Sequence, residues 1–248
     1  MRFIKNLILL TFLFFCLRLP VKAGETLAET ISESGLGFSG SIDSYSQYVW
    51  RGFLLDSDPV IQPGVGISFS GLTLSLWCSF DAAGDDASMS SEVDYAIDYT
   101  LETEILSFSI GNTYYTFPEY DLKSMEAYLG IGIAVLGSPY LTIFYDYGDE
   151  AEGGADGVYA SLDLSHSQPI LLDITFDIGA HAGYNYEAFI SGNGYDIALT
   201  GGLSLQLFDG LTLAPNVIYS VPFADLKEET DGNQESELYF GASLGWDF

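Results

Sequence analysis

Ile61-Gln62-Pro63-Gly64-Val65-Gly66-Ile67-Ser68-Phe69-Ser70 places an apolar or ring side chain at every second position and Gln, Gly or Ser between them. That is period two, the signature of a strand with one apolar face. The pattern restarts after Gly71. Leu72, Leu74, Leu76, Cys78 and Phe80 interleave with Thr73, Ser75, Trp77 and Ser79, and Val93, Tyr95, Ile97, Tyr99 and Leu101 interleave with Glu92, Asp94, Ala96, Asp98 and Thr100.

Followed along the chain, the alternation predicts twelve strands, at 38–51, 59–70, 72–80, 92–102, 105–116, 125–133, 139–147, 157–167, 170–186, 195–205, 211–222 and 237–248. The connections alternate in length. Short ones fall at 70–71, 103–104, 134–138, 168–169 and 206–210, and longer polar ones at 52–58, 81–91, 117–124, 148–156, 187–194 and 223–236. Short turns on one side and longer loops on the other are the layout of an up-and-down antiparallel β-barrel that spans a membrane. A soluble barrel buries its apolar face inward and shows water a charged exterior. Here the polar face is Gly, Ser, Thr and Asp, with almost no Lys, Arg or Glu, which suits a lumen.

Residues 1–23 stand apart. Arg2 and Lys5 precede an apolar stretch from Leu7 to Leu19, and Val21-Lys22-Ala23 is a small-x-small cleavage signal, so a removed secretory signal peptide is expected. A short periplasmic segment, 24–37, then leads into a single barrel domain, 38–248. After the signal no apolar run reaches 18 residues, which excludes helical spans. Only Arg51, Lys123 and Lys227 remain basic against 35 acidic residues, a net charge of −32. A phosphate-backbone footprint, and so nucleic acid, is excluded. Cys16 leaves with the signal and Cys78 is the one cysteine that stays, so neither a disulfide framework nor a cysteine metal site is expected, and no cofactor is implied.

The last predicted strand alternates Leu238, Phe240, Ala242, Leu244, Trp246 and Phe248. It resembles the C-terminal signal of Gram-negative outer-membrane proteins, which implies recognition by the barrel-assembly machinery and residence among outer-membrane lipids. At Tyr48-Val49-Trp50-Arg51-Gly52 the chain resembles the TorF-like porins, the Gcw_chp-type outer-membrane barrels, with further likeness at Glu92-Val93-Asp94-Tyr95, Tyr114 to Pro118, Glu126-Ala127-Tyr128 and Tyr145-Asp146-Tyr147. That resemblance implies a porin and no particular solute.

If the apolar register faces lipid, the other register lines the lumen. It carries Asp43, Glu92, Asp94, Asp98, Glu126, Asp146, Asp163, Asp173, Asp177, Asp196, Glu237 and Asp247 against Arg51 and His181. Glu92, Asp94, Glu126, Asp146, Asp196 and Glu237 fall toward the outer mouth, and Asp43, Asp98, Asp163 and Asp177 nearer mid-depth. So many carboxylates imply water, bound cations or both. Acidic rings favour cations, so a diffusion channel for ions or small hydrophilic solutes is the leading expectation. Arg51 is either a fixed charge in the permeation path or one half of an internal bidentate ion pair.

Two other classes compete. A barrel hydrolase needs an activated nucleophile, but His166 sits on the outward face opposite Ser167, and His181 lies four residues above Asp177, too far for a bond along an extended strand. A non-conducting barrel would carry its function in the acidic loops 148–156 and 223–236, which match no EF-hand spacing. Trp50, Trp77 and Trp246 are read as interfacial girdle residues.

Overall fold

The computed structural model describes residues 35–83, 91–228 and 234–248. The signal peptide, most of the segment 24–37 and parts of the loops 81–91 and 223–236 lie outside the described residues. Twelve strands close into one antiparallel barrel: β1 (Leu36–Tyr45), β4 (Val60–Phe69), β5 (Leu72–Asp81), β6 (Glu92–Glu102), β7 (Leu106–Phe117), β8 (Leu122–Ile133), β9 (Tyr140–Asp146), β10 (Gly157–Leu171), β11 (Ile174–Tyr186), β12 (Asn193–Phe208), β13 (Leu211–Ala224) and β14 (Glu237–Asp247). Two further strands, β2 (Tyr48–Trp50) and β3 (Phe53–Asp56), form a separate hairpin between β1 and β4. β1 pairs with β4 on one side and β14 on the other, so no edge is left, the condition for a sheet in hydrocarbon.

The packing is inside out. Leu74, Ile97, Ile110, Leu129, Ile143, Ile178, Leu199, Val217 and Phe240 are all exposed, on the face that period two assigned outward, while very few apolar side chains are buried. A water-soluble barrel with this exterior would aggregate. Surrounded by acyl chains, the same exterior is solvated, and the fold is that of an outer-membrane barrel.

Three sequence expectations are corrected. The strand predicted over 38–51 ends at Tyr45, and the hairpin β2–β3 takes up part of the expected loop 52–58. The turn expected at 168–169 falls instead at 172–173, because β10 runs on through Pro169, which pairs with Thr175 beside a bulge. A bulge is where a strand tolerates a residue without an N–H. Trp50 and Trp77 do not belong to a lipid-facing girdle. Trp50 packs on Tyr115 and Phe189, and Trp77 on Tyr48 of the hairpin. Trp246 is on the outward face, over Gly40.

Candidate functional site at the outer mouth

Trp50 pairs with Phe53 across the two-residue turn Arg51-Gly52, where both residues have positive φ, 49° and 78°. That is the backbone of the tight hairpin turn matched to strand twist, and it normally selects Asn-Gly or Asp-Gly. The same backbone joins β4 to β5 at Ser70-Gly71, with φ of 50° and 87°. At Gly52 the requirement is doubled, since a Cβ there would meet Asp196 Cβ at 2.6 Å and Leu226 at 2.9 Å. The hairpin tip therefore reaches the inner wall.

Arg51 is what the tip delivers. Its Nη1 and Nη2 donate to Oε1 and Oε2 of Glu126 at 2.6 and 2.8 Å, and the two side chains are 8% and 3% exposed. Its Cζ lies 4.3, 4.4 and 4.2 Å from the ring centres of Trp50, Phe144 and Tyr159, with Phe189 at 5.9 Å. Burial works against the guanidinium charge, but the Glu126 carboxylate and its hydrogen bonds outweigh it and raise the pKa above the usual arginine value. Of the two readings of Arg51, the internal bidentate pair is the geometry present.

The rings and carboxylates around Arg51 are themselves held. Tyr115 donates its hydroxyl to Glu126 Oε2 at 2.8 Å. Tyr159 donates to Asp196 Oδ1 at 2.9 Å and lies 2.8 Å from His181 Nε2, and His181 bridges Asp196 Oδ2 at 3.0 Å and Asp163 Oδ1 at 2.6 Å. A Cβ at Gly183 would collide with the Tyr159 hydroxyl and Asp196, so only glycine admits this network. Phe189 is positioned by Asn185, whose Oδ1 accepts from Ala188 N and Phe189 N at 3.2 Å each.

The rest of the hairpin is tied to other walls. Gln47 donates to Glu237 at 3.0 Å, Leu54 N to Gln234 Oε1 at 2.9 Å, and Tyr48 to Glu92 at 2.8 Å. Burial, then the Glu92 carboxylate, pushes the Tyr48 phenol well above its ordinary pKa, so it remains a donor. An outward cleft of about 740 Å³ lies against this assembly, with Glu92, Glu126, Asp146, Glu150, Asp156 and Glu187 in its wall among Trp50, Tyr115, Phe117 and Phe189.

The structure thus gathers Arg51, Glu92, Glu126 and Asp196 around one hairpin, with Asp94 close by; the Asp94 Oδ1 is buried without a hydrogen-bond partner among the described residues. Asp146 is committed to its loop, accepting from Gly148 N, Ala155 N and Ser124 Oγ. Asp98 accepts from Tyr128 and Thr100. Asp177 departs from its expected mid-depth. With the preceding turn shifted to 172–173, it is only four residues from the short-turn end, bonded to Ser167 and Ser204. Asp173 lies in that turn rather than on the inner wall. Sequence reasoning missed Phe144, Tyr159, Tyr115 and Phe189. The signal for the first three was present, as bulky aromatics in the inward register.

Fold and site together define a transmembrane β-barrel of outer-membrane type, with an acidic interior and an outer mouth occupied by its own first long loop. Residues 29–219 match the family described as bacterial protein of unknown function (Gcw_chp), and the chain belongs to that family. No curated protein sequence matches it. Among solved structures, the KdgM porin is similar with a TM-score of 0.54 at 12% identity, over 86% of this chain and 99% of its own. An outer membrane channel from Pseudomonas putida F1 is similar at 0.51 and 10% identity, over 86% and 96%. LpxR from Salmonella typhimurium is similar at 0.50 and 8% identity, over 84% and 99%. What these share with the chain is the barrel.

Proposed function

We propose that the protein is a narrow, cation-preferring diffusion channel for ions or small hydrophilic solutes in the outer membrane of a Gram-negative-type bacterium, closed at rest from outside by the β2–β3 hairpin. The observation that carries the reading is Asp163. Its side chain points into the barrel yet is 47% exposed, whereas Arg51 and Glu126 at the hairpin tip are almost fully buried. Water therefore reaches the interior below the hairpin, to a wall that bears Asp43, Asp98 and Asp177 as well. The one guanidinium in the interior is already neutralised by Glu126. His181, the other basic side chain on the inner wall, is bonded to Asp163 and Asp196, so among the described residues the acidic wall has no free counter-charge, and such a wall concentrates cations and repels anions. The likeness of the Tyr48 to Gly52 segment to TorF-like porins agrees with this reading.

Planar-bilayer recording in a salt gradient tests it. Stepwise openings with a reversal potential on the cation side are expected, and Asp98→Asn with Asp163→Asn moves that potential toward zero. An unchanged potential would sink the field argument. The seated hairpin also favours a second reading, a non-conducting barrel whose acidic loops act at the surface. That reading requires the channel to stay silent even when Glu126→Gln unseats the hairpin.

A further inference from the structure

We propose that the cage around Arg51 is a binding site for solutes carrying a guanidinium group, occupied in the resting protein by the chain's own arginine. The cage has two origins. Trp50 and Arg51 come from the hairpin, but Phe144 on β9, Tyr159 on β10, Glu126 on β8 and Phe189 in the loop after β11 come from the wall and remain when the hairpin leaves. Those four groups match a planar cation. A carboxylate presents both oxygens to the two-pronged N–H edge, and aromatic faces cover the plane at 4.2 to 4.4 Å, the geometry that distinguishes guanidinium from an ammonium point charge.

The receptor is also set in advance. Tyr115 fixes the Glu126 carboxylate, Asp196 fixes the Tyr159 hydroxyl, and Asn185 fixes the turn that carries Phe189. Binding to a fixed site spends little on ordering it. The tethered ligand, in contrast, is seated with φ of 49°, the left-handed region where a side chain other than Gly is strained. A free guanidinium bears no such strain. The acidic cleft that adjoins Trp50, Glu126 and Phe189 is where an arriving cation would concentrate. A solute that takes the place of Arg51 unseats the hairpin, so ligand binding and opening of the mouth become one event. This deepens the channel reading and rests on it for that consequence; the binding itself does not.

Titration calorimetry on the refolded full-length protein, with methylguanidinium chloride as the probe, separates the two. Arg51→Ala empties the cage and is expected to bind one methylguanidinium saturably, at least tenfold more tightly than wild type, where the tethered arginine competes at high effective concentration. Ethylammonium binds the same variant more weakly, and Arg51→Ala with Glu126→Gln loses the site. Should Arg51→Ala not refold, Arg51→Gln is read in the same way. The proposal is overturned by no saturable binding to the emptied cage, by equal affinity with and without the Glu126 charge, or by ethylammonium matching methylguanidinium. Calorimetry measures no current, so, read beside the bilayer recording, a silent barrel that binds methylguanidinium overturns the channel and leaves the site, and a conducting barrel that does not bind it does the reverse.

Discussion

Glu126→Gln is expected to release the hairpin from the barrel mouth. The substitution keeps the shape of the side chain but leaves a guanidinium buried to 8% exposure without its counter-charge. Breaking one half of a buried pair costs about 3–5 kcal/mol, because the remaining charge is left uncompensated. At 1.4 kcal/mol per tenfold, the docked-to-released ratio falls by roughly two to four orders of magnitude. The barrel has a cheap escape from that cost: the hairpin lifts and Arg51 returns to water. The loss therefore appears as local opening and not as global unfolding.

Trypsin reads this directly. Arg51, Lys123 and Lys227 are the only basic residues after position 23, so cleavage after Arg51 gives an unambiguous pair of fragments. Wild type is expected to resist at this bond and Glu126→Gln to be cut rapidly, with faster hydrogen exchange confined to Tyr48–Trp50 and Phe53–Asp56. Arg51→Met with Glu126→Gln removes both charges and is expected to be milder than Glu126→Gln alone, since neither partner is stranded. Equal exchange in wild type and Glu126→Gln would show that the ion pair does not hold the plug.

The barrel was legible because its physics is local. Each strand announces its lipid face by alternation, and all twelve barrel strands appear in that pattern from Leu36–Tyr45 to Glu237–Asp247. The plug was not legible because period two runs on past Tyr45, and the Arg51-Gly52 turn lacks the Asn or Asp that usually marks it; Ser70-Gly71 lacks them too, but there the alternation changes parity between Phe69 and Leu72 and marks the turn. The network at His181 failed for another reason. Along β11 its neighbour Asp177 is out of reach, and its actual partners Asp163 and Asp196 lie on β10 and β12. Cross-strand contacts depend on register, and register depends on turns such as the one that moved to 172–173. Tyr115, Phe144 and Tyr159, by contrast, stand in the inward register among carboxylates and small polar residues, beside further inward rings at Trp77, Tyr128 and Tyr140. Such bulk in a lumen means either a narrow pore or something packed against it.

Leu199 and Thr200 adjoin on β12 but belong to opposite worlds, and arginine at each gives the sharpest test of which side is lipid. Leu199 is 57% exposed, on the same face as Ile197 and Leu203, and pairs with Ala180 and Tyr219 on the neighbouring strands. At the bilayer midplane an arginine facing lipid costs about 2–4 kcal/mol. Leu199→Arg is thus expected to lower the urea stability of the barrel in vesicles by that amount, with a matching loss of folded protein in a heat-modified gel shift. Thr200 points inward and lies between Gly179 and Ile218 in the ladder. Gly179 leaves room above it, and the new guanidinium meets water and carboxylates. Thr200→Arg is expected to change stability by no more than about 0.5 kcal/mol, as for an unconstrained surface site, while pulling the reversal potential toward zero through its charge. A soluble barrel makes the opposite prediction, because there Leu199 faces water and Thr200 a closed interior. Equal costs at the two positions would contradict a lipid exterior and a wet lumen together, and a larger cost at Thr200 would invert the barrel.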